Sequence, residues 1–151
     1  MNAILLNSQI ERIKQKPEKL VLLQSFFMKN KIIIYTLGAF FVFAGINHFV
    51  NPHFYYPLIP DYLPFPIFIN VASGLLEIVL GLALFTKSYR RISALGIFIL
   101  LLLFIPSHVY FVQIGSCIPD GLCVPAYVGW IRLLVIHPIL LFWAYWAYRK
   151  G

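Results

Sequence analysis

Between Asp61 and Lys87 the chain runs through an apolar stretch that holds a single charge, Glu77. Such a stretch is long enough to cross a bilayer as a helix, and Glu77 then falls near its middle. An ionisable group at that depth is costly and marks a functional-site candidate. Helical spacing puts Asn70, Gly74, Glu77 and Gly81 on one stripe, and the small residues on it admit the close approach of a neighbouring helix.

Three more apolar runs of similar length follow the same pattern. The predicted helices span about 32–49, 67–85, 92–113 and 126–148, each near the length a hydrocarbon core requires. Only 11% of the residues are charged and 61% are hydrophobic. A soluble domain carries about a quarter charged residues, so this chain cannot cover a water-facing surface. The expected fold class is an all-α membrane protein, a four-transmembrane-helix bundle over residues 32–151 with an N-terminal interfacial amphipathic segment over residues 1–31.

That N-terminal segment holds Arg12, Lys14, Lys16, Lys19, Lys29 and Lys31 interleaved with Ile10, Ile13, Leu20, Leu23 and Phe26. The pattern fits two short amphipathic helices broken at Pro17 and lying on an anionic membrane face; a solvated tail is the alternative. The apolar piece Ala3 to Leu6 is too short for a cleaved signal peptide, so the first membrane helix is expected to serve as an uncleaved signal.

Asn51 to Pro66 contains Pro52, Pro57, Pro60, Pro64 and Pro66, a density expected to exclude a regular helix. Its rings, among them Tyr55, Tyr56 and Tyr62, suit a membrane interface, and the segment reads as a folded re-entrant or interfacial cap. Pro106 is expected to kink the third helix. Pro138 is expected to free a carbonyl in the turn before it.

Charge sets the expected orientation. Bases precede the first helix, fill the turn Lys87 to Arg91 and end the chain at Arg149 and Lys150, while the two opposite loops hold no Lys or Arg. The positive-inside rule then puts both termini in the cytoplasm and the proline-rich and cysteine-bearing loops outside. The same distribution argues against nucleic acid as the reason for the net charge of +7.

Arg132 and three histidines are the expected companions of Glu77. Counted from the outer helix ends at 1.5 Å per residue, Glu77 lies about 15 Å deep and Arg132 about 8 Å deep. A long Arg side chain spans that difference, either as a buried ion pair joining helices two and four or as part of a pocket for a polar headgroup. His48, His108 and His137 fall at or outside the midplane, so these residues with Asn70 are the ligand-pocket candidates. No two histidines stand at metal-binding spacing, and no metal is expected. Cys117 and Cys123 are disulfide candidates in an oxidising compartment, with Pro119, Asp120 and Gly121 as turn formers between them. A reactive redox pair and free thiols remain the alternatives.

Gly45-Ile-Asn-His48-Phe49-x-x-Pro52-x-Phe54 resembles a pattern of the DoxX-like family of small bacterial membrane proteins. The likeness continues through Pro60-x-x-Leu63-Pro64-x-Pro66, Ser73-Gly74-x-x-Glu77-x-x-Leu80-Gly81, Arg90-Arg91, Phe104-Ile-Pro106-Ser-His108-Val-Tyr110 and Arg132-Leu133. It covers about Ile34 to Trp146. Family members often have Asn where this chain has His108, and Arg-Leu-Pro-x-Gln where it has Arg132-Leu133-Leu134-Val135-Ile136. A polar role of that Asn and Gln then requires His108 and His137 as substitutes. The family is associated with quinone-linked sulfur oxidation and redox-related membrane complexes. The resemblance therefore implies a protein of the bacterial inner membrane, a redox-associated accessory subunit with a small intramembrane pocket for quinone or lipid. Its expected partners are the lipid bilayer and other membrane or periplasmic redox proteins. The rival expectations are an intramembrane enzyme using Glu/His acid-base chemistry on a lipid or quinone, and a structural partner subunit or small transporter.

Overall fold

The computed structural model describes Val21, Met28, residues 30–118, Gly121 and residues 123–151. The chain divides into a unit over residues 1–33 and a unit over residues 34–151, and the site lies within the second. The expected amphipathic segment, apart from Val21, Met28, Asn30 and Lys31, lies outside the described residues.

Four helices are long and apolar enough to cross a membrane: Asn30–Val50, Pro66–Ala83, Arg90–Gln113 and Ala126–Lys150. We label the first α1, the second α3 and the third α4, with α2 the single turn Pro52–Tyr55 between α1 and α3. The last span is composite: α5 (Ala126–Ile131), a π-helical segment (Arg132–Ile136) and α6 (His137–Lys150). Among the described residues there is no strand, only an isolated antiparallel bridge between Cys117 and Cys123.

The expected boundaries agree with these to within a few residues, and the departures have local causes. The proline-rich segment does form a helical turn, because Pro52 sits at the start of α2, where its missing N–H costs nothing. A 3₁₀ turn follows over Tyr56–Leu58, and Leu58, Ile59 and Pro60 are buried beneath it, so the segment is a packed cap. Phe65 has φ 61°. Pro66 after it disfavours the right-handed helical region, and the chain enters α3 through the left-handed region, which a non-glycine residue seldom adopts. α4 runs uninterrupted through Pro106.

α1 and α3 meet backbone to backbone. A Cβ built on Gly45 would lie 2.6 Å from the Gly74 carbonyl oxygen, and one on Gly38 would lie 2.8 Å from that of Gly81. The relation is reciprocal: a Cβ on Gly81 would lie 2.8 Å from the Gly38 oxygen. The two glycine pairs lie in matching steps along antiparallel helices, so the four positions act as one continuous contact. Dispersion between closely packed backbones is the attraction available where the surroundings are as apolar as the side chains.

The interior is divided along its length. Toward the end carrying Lys87 to Arg91, Ile34, Leu37, Leu84, Ala94, Ile97 and Ala147 form a dry apolar core. Arg90 closes that end by donating its Nε to the Leu84 carbonyl at 3.2 Å, satisfying an acceptor left over at the end of α3. Ser93 Oγ donates to the Leu80 carbonyl in the same region. Toward the opposite end a second small cluster, Leu58, Phe111 and Ile118, packs the cap and the cysteine loop against α4. Tyr110 also holds Asp61 of the cap, donating its hydroxyl to Oδ2 at 2.9 Å. Cys117 and Cys123 are joined by a disulfide.

α3 buries its small and polar residues and exposes its large apolar ones. Its buried residues are Asn70, Gly74, Glu77 and Gly81, while Ile67, Phe68, Leu75, Val79 and Leu82 face outward. A water-facing helix would hide the second set and expose the first.

The glycine contact predicts an asymmetry. Gly45→Ala or Gly74→Ala forces a methyl into backbone and should destabilise by about 1–3 kcal/mol, the usual range for overpacking. Gly96→Ala meets only the flexible Leu80 side-chain tip and should change stability much less. Thermal unfolding of the three variants in one detergent checks the order.

Candidate functional site

The hollow half of the bundle holds a cavity of about 490 Å³. Its walls are mostly apolar, with Phe41, Leu101 and Leu140 among them, and all six pocket candidates reach it: His48, Asn70, Glu77, His108, Arg132 and His137. They arrive from four helices, and the cap adds Tyr55, Leu58 and Ile59.

One wall is a hydrogen-bonded chain between α1 and α3. Asn70 Nδ2 donates to the His48 backbone carbonyl at 3.0 Å, which fixes how the amide is turned. Its Oδ1 must then accept, and it lies 2.7 Å from His48 Nδ1. That nitrogen therefore carries a hydrogen. The other ring nitrogen, Nε2, faces Glu77 Oε2 at 3.5 Å. With Nδ1 already a donor, the two atoms attract only when a proton sits between them, on the carboxyl or on the imidazole. Glu77 is 4% exposed and Asn70 2%, and Glu77 Oε2 has no hydrogen bond among the described residues.

Tyr55 is the functional neighbour that sequence reasoning missed. It was expected only as an interface ring, yet it stacks on His48 with centroids 3.7 Å apart. Its hydroxyl accepts a hydrogen bond from Asn47 Nδ2 at 2.8 Å, and Asn47 Oδ1 accepts from Asn51 Nδ2 at 2.7 Å. Burial pushes the Tyr55 phenol above its ordinary range, with the Glu77 charge adding to that and the Asn47 contact and Arg132 opposing it. It stays protonated and available as a donor. The spacing of Asn47, Asn51 and Tyr55, four residues apart at each step, was the available signal.

The other wall holds Arg132, His108 and His137. The rings of His108 and His137 lie 4.5 Å apart, centroid to centroid, and the guanidinium of Arg132 lies over the Phe111 ring at 5.4 Å. Arg132 is close enough for its charge to bear on both imidazoles. His137 is 3% exposed, and neither of its ring nitrogens has a hydrogen-bond partner among the described residues; nor does Nδ1 of His108. The Leu101 carbonyl lies near His137 without completing an aligned bond.

The π-helical segment explains how Arg132 and His137 share this wall. In an α-helix, at 3.6 residues per turn, residues five apart point about 140° away from each other. Here the His137 N–H bonds back to the Arg132 carbonyl, a five-residue step that returns nearly to the same face. Pro138, which has no N–H to give to Leu134, is the residue that makes the widened turn favourable.

The expected Glu77–Arg132 ion pair is not formed among the described residues. Glu77 faces His48, and Arg132 sits over Phe111. Burial of His48 beside Asn70 brings an imidazole to the carboxyl first, and the widened turn aims Arg132 toward α4 instead. Among the described residues, no group of three His, Cys, Asp or Glu side chains is arranged to hold a metal ion.

The chain belongs to a family described as a domain of unknown function, DUF8561, whose model matches residues 37–148. That stretch covers every residue of both polar walls. No curated protein and no solved structure matches the chain.

The Asn70–His48 pair should behave as a unit. Replacing either residue by Leu strands a buried partner and should cost about 1–3 kcal/mol. The double variant should cost clearly less than the sum of the two, a coupling read by a double-mutant cycle of unfolding in detergent.

Proposed function

We infer that this protein spans the membrane four times and holds a lipid-soluble molecule with an oxygen-bearing head, a lipid or a quinone, in the cavity between its helices. The observation that carries this reading is the cavity itself: about 490 Å³, within the roughly 300–1,000 Å³ range of small-molecule sites, apolar over most of its wall, with convergent polar groups on two sides. Its apolar lining includes Phe40, Leu76 and Leu103, each of which is also exposed. An alkyl chain lying along them would meet an apolar surface throughout. The DoxX-like resemblance belongs to the same reading, in which the protein is an accessory subunit of a redox-associated complex in a bacterial inner membrane.

In this reading the termini and the turn Lys87 to Arg91 face the cytoplasm, and the cap and the disulfide loop face outward. The support is the lack of Lys and Arg in both of those loops, together with a disulfide in one of them, as an oxidising compartment favours.

A second reading, acid-base catalysis on the bound molecule, is favoured by the His48–Glu77 pair. A proton held between carboxyl and imidazole at the cavity wall is placed for transfer to or from a ligand oxygen.

Two measurements test the principal reading. Native mass spectrometry of the detergent-purified protein should show one lipid-soluble species bound to the wild type and absent from Ala72→Trp, which puts a large ring at a small apolar position of the lining and leaves the polar residues unchanged. Equal occupancy in both would place the bound lipid on the outer surface and reject the pocket. For orientation, single cysteines at Ser88 and Tyr62, in a chain with Cys117 and Cys123 replaced by Ser, should react oppositely with a membrane-impermeant maleimide on intact cells. Position 62 should label and position 88 should not; the reverse would invert the topology.

A further inference from the structure

We propose that the Arg132 wall is a subsite for a monoanionic oxyacid head, a carboxylate or phosphodiester, carried on an alkyl chain. The proposal rests on the reading of the cavity as a ligand site and assigns the charge of what it holds.

The two walls differ in what they lack. On one wall Asn70 and His48 satisfy each other, and Glu77, unpaired at Oε2 and facing His48 Nε2 at 3.5 Å, is an acceptor that calls for a proton and not for an anion. Arg132 is always protonated, and among the described residues no carboxylate lies within ion-pairing distance of it. Phe111 offers a ring face, which attracts a cation but does not neutralise it. A charge inside an apolar bundle without a counter-ion is strongly unfavourable.

A second, independent observation points to the same place. His137 is 3% exposed, lines the cavity and has neither ring nitrogen paired, and His108 beside it has an unpaired Nδ1. Buried polar atoms left without partners are rare in folded proteins and ask for one. The guanidinium offers several donors to this volume, and each neutral imidazole adds one N–H beside its acceptor nitrogen. The group that satisfies them has several acceptor oxygens and negative charge, and a carboxylate or phosphodiester matches the guanidinium fork in two parallel hydrogen bonds. One fixed positive charge is balanced by one negative charge, which sets the monoanion apart from a phosphate monoester. A neutral carbonyl would satisfy a donor or two and leave the charge unbalanced. The alkyl chain follows from the remaining wall, which is apolar and includes the exposed Leu76 and Leu103.

The test compares ligands of matched chain and different charge on the full-length protein, delipidated in detergent. Oleate, monoolein, a phosphatidylglycerol and butyrate are titrated separately, with binding read by native mass spectrometry and by the shift in Tm. Oleate or the phosphatidylglycerol should bind at least tenfold tighter than monoolein, and which of the two is tighter identifies the head. Arg132→Gln should abolish that preference for charge while still binding monoolein, and Arg132→Lys should keep most of it. Monoolein binding as tightly as either anion would overturn the proposal, as would an anion preference that survives Arg132→Gln. Butyrate binding as well as oleate would overturn the requirement for a chain. If neither anionic lipid binds, the proposal fails; the wild type still carrying a neutral species that Ala72→Trp loses would show that the ligand reading stands without it.

Discussion

The contact on which the rest of this structure depends is the one between the backbones of α1 and α3. Gly38 meets Gly81 and Gly45 meets Gly74, each without room for a methyl group. Side chains of ordinary size would hold the two helices farther apart, since the distance between packed helices is set by the side chains at their contact. At the closer distance His48, one turn beyond Gly45, falls between Asn70 and Glu77, which flank Gly74. A packing solution for apolar surroundings thus becomes the device that assembles a polar site. The bond between the Asn70 amide and the His48 carbonyl ties the same two helices at the point where the polar wall begins.

The opposite wall depends on a departure from regular helix geometry. The last span could have been a continuous α-helix, with Arg132 and His137 on different faces. Pro138 removes one donor, and the backbone answers with a five-residue step across Arg132–Ile136. Local widening of this kind is often found at functional sites because it re-aims side chains without ending the helix. The result is a bundle that is apolar and close-packed at the basic end, hollow with two polar patches at the other, and closed there by residues of the cap.

The cap shows how turn chemistry and burial cooperate. Five prolines restrict the backbone, yet the first of them starts a helical turn, and Leu58, Ile59 and Pro60 are driven inward. That burial brings Tyr55 flat against His48. One ring therefore joins the cap to the Glu77 wall, and the hydrogen bond from Tyr110 to Asp61 joins the cap to the helix bearing His108. Both walls of the cavity are held to the same lid.

Much of this architecture was legible in the residues alone. Apolar run length, proline positions and the scarcity of charge locate four long helices, because these are local properties of the chain. The stripe Asn70, Gly74, Glu77 and Gly81 was legible for the same reason: helical periodicity fixes a shared face before any neighbour is known, and those four are the buried residues of α3. Gathering the three histidines, Glu77, Asn70 and Arg132 around one cavity also followed from their depths. Who pairs with whom did not. Depth along a helix says nothing about rotation about its axis, so Glu77 and Arg132 were natural partners until the widened turn aimed Arg132 at Phe111 and the glycine contact delivered His48 to Glu77. Tyr55 escaped notice because a ring beside a membrane interface looks the same whether it faces headgroups or folds inward. The sequence by itself determined the helices, their apolar exterior and which polar residues share a depth. Only the tertiary structure decided the pairings and the cavity, because these depend on helix rotation and on approach distances of a few ångströms that no single helix encodes.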